Sequence, residues 1–176
     1  MRVELAQAAK YLKEGKIVGI PTETVYGLAA SVFDPDAIES LYVLKERPRT
    51  NPLITQVGSI EDLRVFTENF PDGFEALANK FWPGTLTLVL PINEDSVPSP
   101  VRGGLLSAAF RIPGHPLTLA LLKESGPLAV PSANKSGSPP ATCVEHLESD
   151  FGKDFPVLDG GICEGGIEST ILNYIG

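Results

Sequence analysis

The spacing of hydrophobic and polar residues alternates between two periods along the whole chain. Apolar residues three or four positions apart, such as Leu5, Ala8 and Leu12, predict helices. Short apolar runs between them predict strands. The predicted helices cover residues 5–14, 34–45, 59–66, 73–81, 116–124 and 142–151, and the predicted strands cover residues 16–20, 53–57, 85–90, 106–112, 128–130, 156–158 and 169–172.

Helix starts carry residues typical of N-caps. Asp34 stands before Pro35, which suits the first helical position. Ser59 and Thr142 are the predicted caps of two later helices. Helices and strands interleave without repeats, which predicts one α/β domain over residues 1–176 with a twisted mixed β-sheet flanked by helices.

Composition narrows the class of protein. The chain has 176 residues, 43% of them hydrophobic, which suits one globular domain. We expect a cytoplasmic protein, because no apolar run is long enough for a membrane span or a signal peptide. The net charge of −8 argues against general binding of nucleic-acid backbones. Cys143 and Cys163 are expected to be free thiols, and no metal-ligand spacing occurs.

The first polar segment, Pro-Thr-Glu-Thr-Val-Tyr-Gly at residues 21–27, follows a predicted buried strand. Residues just past the carboxyl end of a strand commonly line the ligand crevice of an α/β sheet. Two hydroxyls, a carboxylate and a phenol offer donors and acceptors together. A hydrogen-bonded turn that only caps the strand is the alternative.

Two further segments combine polar and charged side chains. At residues 45–52, Lys45 and Arg47 would point the same way in an extended stretch and could hold a polyphosphate, unless they only form a basic helix end. Ser132 and Asn134, in residues 131–137, could serve a nucleotide's phosphate or ribose, or only form a turn. Neither segment is a Walker loop.

Arg111 ends an apolar strand and needs an anionic partner, since an unpaired buried charge is costly. That partner could be a carboxylate of the protein or of a substrate. His115 stands before Pro116 and could be catalytic or only cap a helix. The glycine-rich residues 160–166 could close over a ligand or only connect two elements.

These segments, in this order, resemble the YrdC-like threonylcarbamoyl-AMP synthase family. The matching stretches span nearly the whole chain and are residues 21–28, 45–48 with 51–53, 81–84, 111–113 with 115–116, 131–137 and 168–171. The resemblance implies a concave cationic pocket and the conversion of L-threonine, bicarbonate and ATP into threonylcarbamoyl-AMP and pyrophosphate, with Mg²⁺ beside the ATP. The product feeds the t⁶A modification of transfer RNA by other proteins, the downstream threonylcarbamoyl transfer machinery.

The resemblance also implies roles for individual residues. Lys45 and Arg47 would be catalytic and grip the ATP phosphates. The other residues expected to hold ATP are Asn51, Ser107, Ser132 and Asn134. Thr24, Arg111 and Ser169 would hold threonine, with Arg111 the partner of its carboxylate, and Thr22 and Tyr26 would support that end of the pocket.

The sequence departs from the family pattern in two places. Thr85 stands where relatives usually have proline. Relatives usually continue beyond the position of Gly176 with a strand and an arginine-containing segment near the nucleotide, and longer ones carry a second domain. We therefore expect the C-terminal end to be truncated relative to the family.

Two other functions stay open from the sequence. The chain could form an adenylate from a different carbamoyl acceptor, as in hydrogenase-maturation proteins, although it lacks their additional domains. It could also be a non-catalytic RNA-binding module, which the net charge argues against. A steep salt dependence of RNA binding would distinguish the second function.

Overall fold

The computed structural model describes residues 1–93 and 95–173, so the predicted domain's last residues, up to Gly176, lie outside the described part. The strands in it are β1 (Arg2–Val3), β2 (Val18–Ile20), β3 (Gly27–Ser31), β4 (Ile54–Gln56), β5 (Leu86–Pro91), β6 (Ser107–Arg111), β7 (Leu128–Ala129), β8 (Val157–Leu158) and β9 (Thr170–Asn173). The helices are α1 (Leu5–Lys13), α2 (Pro35–Lys45), α3 (Ile60–Leu63), α4 (Phe74–Phe81), α5 (Ser99–Arg102), α6 (Pro116–Ser125) and α7 (Val144–Phe151).

The described strands form one nine-stranded mixed sheet in the order β1-β8-β2-β3-β7-β4-β6-β5-β9. β8 lies parallel to both β1 and β2, and β9 lies parallel to β5 at the opposite edge. In the centre, β7 runs antiparallel to β3 and β4, while β4 and β6 are parallel. The predicted single α/β domain with a mixed sheet is confirmed.

Helices cover both faces of this sheet. α1 and α6 pack on one face, where Leu12 and Leu121 join Ile20 and Ala29 in a buried cluster. α2, α4 and α7 pack in the larger cluster on the other face. The side chains of β3 point to the two faces in turn, so Leu28 lies in the larger cluster and Ala29 lies in the cluster with α1 and α6.

The residues at the starts of helices and strands predicted most of these starts to within two residues. The Asp34 carboxylate accepts hydrogen bonds from the backbone N–H groups of Asp36 and Ala37, so the predicted N-cap of α2 is confirmed. Ser59 likewise caps α3, but that helix ends at Leu63 instead of reaching Phe66. The N-cap of α7 is Cys143 and not Thr142. Both cysteines are free thiols, as expected.

Three elements were not predicted: β1, β3 and α5. The run Gly-Leu-Ala-Ala-Ser of β3 lacks the β-branched and aromatic residues that mark strands. It forms because it pairs antiparallel with β2, so the chain turns back directly after residues 21–26. β5 was expected to be half exposed, but it is mostly buried because β6 and β9 flank it and Thr87 lies inside.

Candidate functional site

A two-part cleft opens at one end of the central strands. The Arg111 chamber, with about 320 Å³ of open volume, is lined by Arg111, the turn between β2 and β3, and Gln56. The Arg47 chamber, with about 600 Å³, extends from it past Arg47 and Pro52. The two chambers share six lining residues, which are Ile54, Val130, Pro131, Ser132, Glu168 and Ser169.

Arg111 is held by four hydrogen bonds at the end of β6 and is only 4% exposed. Its Nε donates to the Gly84 carbonyl at 3.0 Å, and its Nη1 donates to Thr24 Oγ1 at 3.1 Å. Its Nη2 donates to Thr24 Oγ1 at 3.1 Å and to Glu23 Oε1 at 2.6 Å. The anionic partner that the sequence required is therefore Glu23, a carboxylate of the protein. Among the described residues, one of the five guanidinium N–H groups has no hydrogen-bond partner.

The Glu23 carboxylate feels two opposing effects. Burial alone would raise its pKa, because a charge in a low-dielectric site is costly. The charge and hydrogen bond of Arg111, together with backbone hydrogen bonds from Gly114 and Glu23, outweigh burial, so the pKa of Glu23 lies below its ordinary value. The Arg111–Glu23 pair is thus ionised and close to neutral in sum.

The turn at residues 21–26 both caps its strand with hydrogen bonds and lines the ligand cleft, so the two interpretations of this segment apply together. Thr22 Oγ1 donates to the Val25 carbonyl at 2.6 Å and accepts from two backbone N–H groups, which is a turn-capping role. Thr24 Oγ1 lies 2.8 Å from Thr22 Oγ1 and faces Arg111. The turn is therefore a hydrogen-bonded cap whose second threonine orients the arginine of the chamber.

Tyr26 anchors the glycine-rich segment from inside the core. Its hydroxyl donates to the Gly161 carbonyl at 2.8 Å and accepts from the Gly160 N–H at 3.0 Å. Burial, the largest effect, raises the pKa of Tyr26 to about 12. Further along, the N–H groups of Gly165 and Gly166 donate to backbone carbonyls of the 21–26 turn. These bonds make residues 160–166 a fixed support for the turn.

Ser169 and Gln56 complete the walls of the Arg111 chamber. Ser169 Oγ lies 2.7 Å from Thr87 Oγ1 on β5. Gln56, at the end of β4 and opposite Arg111 in the strand register, was missed by the sequence reasoning. It is 2% exposed, and within the described chain its Oε1 has no hydrogen-bond partner. A polar residue at the end of an apolar strand, the signal that singled out Arg111, would also have found it.

The Arg47 chamber has a cation of a different kind. Arg47 is half-buried, and it donates from Nε to the Asn51 carbonyl at 3.1 Å and from Nη2 to the Pro52 carbonyl at 2.9 Å. Within residues 1–93 and 95–173, no carboxylate forms an ion pair with it. Its positive charge is therefore available to an anionic ligand.

Lys45 does not line this chamber, and the prediction that Lys45 and Arg47 lie in one extended stretch is wrong. Lys45 is the last residue of α2, and Glu46 adopts a left-handed conformation with φ 54°. The two cations are therefore not neighbours in an extended stretch. Lys45 is 1% exposed and donates from Nζ to the carbonyls of Ser132 and Asn134. Burial, reinforced by repulsion from Arg47, lowers its pKa to about 8.

The structure thus divides the predicted site residues into two groups. Thr24, Arg111, Ser169, Arg47 and Ser132 line the cleft. The remaining predicted residues, Lys45, Asn51, Ser107 and Asn134, lie outside its lining. Asn134 donates from Nδ2 to the carbonyls of Lys135 and Ser138, which folds residues 131–138 back on themselves.

The sequence matches the profile of the Sua5/YciO/YrdC family, described as telomere recombination, over residues 10–176. This chain belongs to that family. It is 45% identical over 172 residues to the threonylcarbamoyl-AMP synthase of Bacillus subtilis (strain 168), covering 97% of this chain and 50% of the relative. It is 46% identical over 168 residues to that of Pyrococcus abyssi (strain GE5 / Orsay), covering 94% and 49%. The chain thus spans about half the length of these family members.

Solved structures agree with this membership. The crystal structure of P. abyssi Sua5 complexed with L-threonine superposes with a TM-score of 0.93 at 42% identity, covering 100% of this chain and 54% of that one. Escherichia coli YciO superposes with a TM-score of 0.81 at 20% identity, covering 98% and 84%, and shares the fold.

Proposed function

We propose that this chain is a nucleotidyltransferase that converts L-threonine, bicarbonate and ATP into threonylcarbamoyl-AMP, pyrophosphate and water. The observation that carries the proposal is the shared wall of the two chambers, because it lets a group bound in one chamber reach a ligand in the other. Family membership supports it, since two relatives are named threonylcarbamoyl-AMP synthase and one related structure holds L-threonine.

In this proposal the Arg111 chamber binds threonine. The threonine carboxylate accepts from the remaining N–H of Arg111, while Thr24 and Ser169 line the same chamber. Gln56 Oε1 offers an acceptor for a substrate N–H or O–H. The chamber holds Arg111 already oriented by Glu23, so little ordering is needed when the substrate binds.

The Arg47 chamber receives ATP. Arg47 faces the phosphates and has no carboxylate partner among the described residues, and Ser132 lines the wall toward threonine. Asn51, Ser107 and Asn134 are proposed to support the nucleotide from behind that lining. Mg²⁺ usually binds nucleotide phosphates with few protein ligands. Glu168, which lines both chambers, is the residue proposed to complete its coordination, and the ion would offset charge on the phosphates.

The chemistry then depends on position and charge. The threonine amine and bicarbonate form a carbamate, and a carbamate oxygen attacks the α-phosphorus in line with the departing pyrophosphate. Arg47 offsets the charge that develops on that leaving group. The adenylate is then passed to the tRNA threonylcarbamoyl transfer machinery in the cytoplasm. No helix in the described part of the chain has the length and apolarity to cross a membrane.

The test is incubation of the protein with ATP, threonine and bicarbonate, followed by detection of the adenylate by mass spectrometry. We expect product only when all three are present, and a product heavier by one mass unit when ¹³C-bicarbonate is used. Valine, which replaces the threonine hydroxyl by a methyl group, is the matched control substrate. An AMP adduct that forms equally well without threonine would contradict the proposal.

A further inference from the structure

Lys45 connects helix α2 to the loop of residues 131–137 through three contacts. Its Nζ donates to the carbonyls of Ser132 and Asn134, and its own carbonyl accepts from the Ser136 N–H at 3.0 Å. The side chain is buried and lies outside the lining of both chambers. Two of the three ammonium donors are therefore used within the protein.

The opposite side of this loop is fixed by a different element. Ser132 forms a β-bridge with Gly27, and the Ala133 N–H donates to the Tyr26 carbonyl at 2.7 Å. The loop is thus held between the start of β3 and the end of α2. Ser132 lines both chambers, so a displacement of its backbone would move the shared wall of the cleft.

A buried ammonium is very costly unless its donors are satisfied, and a buried backbone carbonyl that is left unpaired adds a smaller cost. Lys45 and the carbonyls of Ser132 and Asn134 therefore satisfy each other. A Lys45 that moved to reach a phosphate would leave both carbonyls without their cation. Arg47 needs no such movement, because it already lines the open chamber.

We infer that Lys45 is a positioning residue for the nucleotide, which acts by fixing the loop of residues 131–137 and touches no phosphate. This inference rests on the proposed function for the identity of the ligand. It differs from the role that the family resemblance implies for Lys45, which is direct contact with the ATP phosphates.

The experiment compares Lys45→Met with Arg47→Met by calorimetric titration of ATP and AMP in the absence of threonine. Lys45→Met should weaken ATP and AMP by the same factor, roughly 10- to 150-fold, because a charged hydrogen-bond partner of the loop is lost. Arg47→Met should weaken ATP much more than AMP. Lys45→Gln, which retains N–H donors, should recover part of the affinity.

Hydrogen exchange gives a readout that does not depend on ligands. The Ser136 amide should exchange faster in Lys45→Met and at the wild-type rate in Arg47→Met. If the wild type binds no ATP but the Ser136 amide behaves as expected, the proposed function fails and the role of Lys45 in the loop stands. Selective loss of ATP affinity with unchanged AMP affinity, or unchanged Ser136 exchange, would overturn the inference.

A measurement on the wild type covers the case in which the Lys45 variants do not fold. In protein labelled with ¹⁵N-lysine, the Lys45 Nζ resonance should respond alike to ATP and AMP. A response to ATP alone, with coupling to a phosphorus nucleus, would show direct phosphate contact and overturn the inference.

Discussion

The two arginines of the cleft are prepared for their ligands in opposite ways. Arg111 is almost fully buried, uses four of its donors within the protein and is neutralised by Glu23. Arg47 is half-buried and, within the described residues, its side chain bonds to two backbone carbonyls and to no carboxylate. One end of the cleft can therefore recognise a ligand by the placement of a single remaining donor, whereas the other end attracts it by charge.

This contrast fits the ligands proposed for the two ends. A small amino acid has to be distinguished from similar molecules, which depends on fixed donors and acceptors more than on net charge. A triphosphate is recognised by charge and tolerates a less constrained partner.

The largest expected effect comes from removing Arg111. Arg111→Ala should destabilise the protein by about 3–5 kcal/mol, because it leaves the Glu23 carboxylate in a mostly buried site without its partner. The free energy of unfolding from urea denaturation measures this loss. The double variant Glu23→Ala with Arg111→Ala should regain part of the lost stability. If Arg111→Ala is as stable as the wild type, the pairing of Arg111 with Glu23 does not stabilise the fold, and this part of the comparison between the two arginines is wrong.

Arg47→Ala should change function with little change in stability. We expect roughly a 10- to 150-fold loss of ATP affinity, equivalent to about 1.5–3 kcal/mol for one charged hydrogen-bond contact. The free energy of unfolding should stay within about 0.5 kcal/mol of the wild type. Salt should weaken ATP binding of the wild type more than that of the variant. If the wild type and Arg47→Ala bind ATP with equal affinity, Arg47 does not contact the ATP phosphates.

Glu23→Gln should leave Arg111 without a neutralising carboxylate, so the Arg111 end of the cleft would attract ligands by charge, as the Arg47 end does. The amide keeps an acceptor for Nη2 but removes the charge that neutralises Arg111. We expect the KM for threonine to be nearly independent of salt in the wild type and to rise about 1.4- to 5-fold with added NaCl in the variant, equivalent to about 0.2–1 kcal/mol. Arg47→Gln serves as the control and should leave the threonine KM insensitive to salt. A strong salt dependence already present in the wild type would show that Glu23 does not neutralise Arg111.

The smallest effect concerns pH. Because the folded state lowers the pKa of Glu23, its ionised form contributes stability that is fully present above the unfolded value and is lost as pH falls through the folded value. The stability difference between wild type and Glu23→Gln should therefore shrink as the pH is lowered below 4.5. Denaturation curves of both proteins across that range check this. A difference that does not depend on pH would mean that the charge of Glu23 has no stabilising role.

The parts of the fold that the sequence predicted are those with local causes. Asp34 followed by Pro35 determines where α2 begins, and the apolar positions of α1 determine which side packs inward. β3 has no such local signal, because its small residues become a strand only through pairing with β2 and β7. β1 has two residues and exists because β8 lies beside it.

The candidate site shows the same division between local and distant causes. The need of Arg111 for an anion could be inferred from its strand, but the choice of Glu23 depends on two segments 88 residues apart. The extended stretch predicted at Lys45 does not form, because helix α2 continues through that residue and Glu46 then turns the chain. Its carbonyl partners lie 87 and 89 residues away, which no local pattern reveals.

The strand order also implies a sequence of events during synthesis on the ribosome. Six adjacent strands form the middle of the sheet, in the order β2-β3-β7-β4-β6-β5. All six are present once residue 129 has been made. Among the described strands, β8 and β9 are made after these six and complete opposite flanks, and Glu168 and Ser169 are made just before β9. A nascent chain can therefore bury much of its core before the cleft has its final wall. A ligand that needs Glu168 or Ser169 stabilises only nascent chains that have reached this segment, so its binding reports that the wall of the cleft is complete.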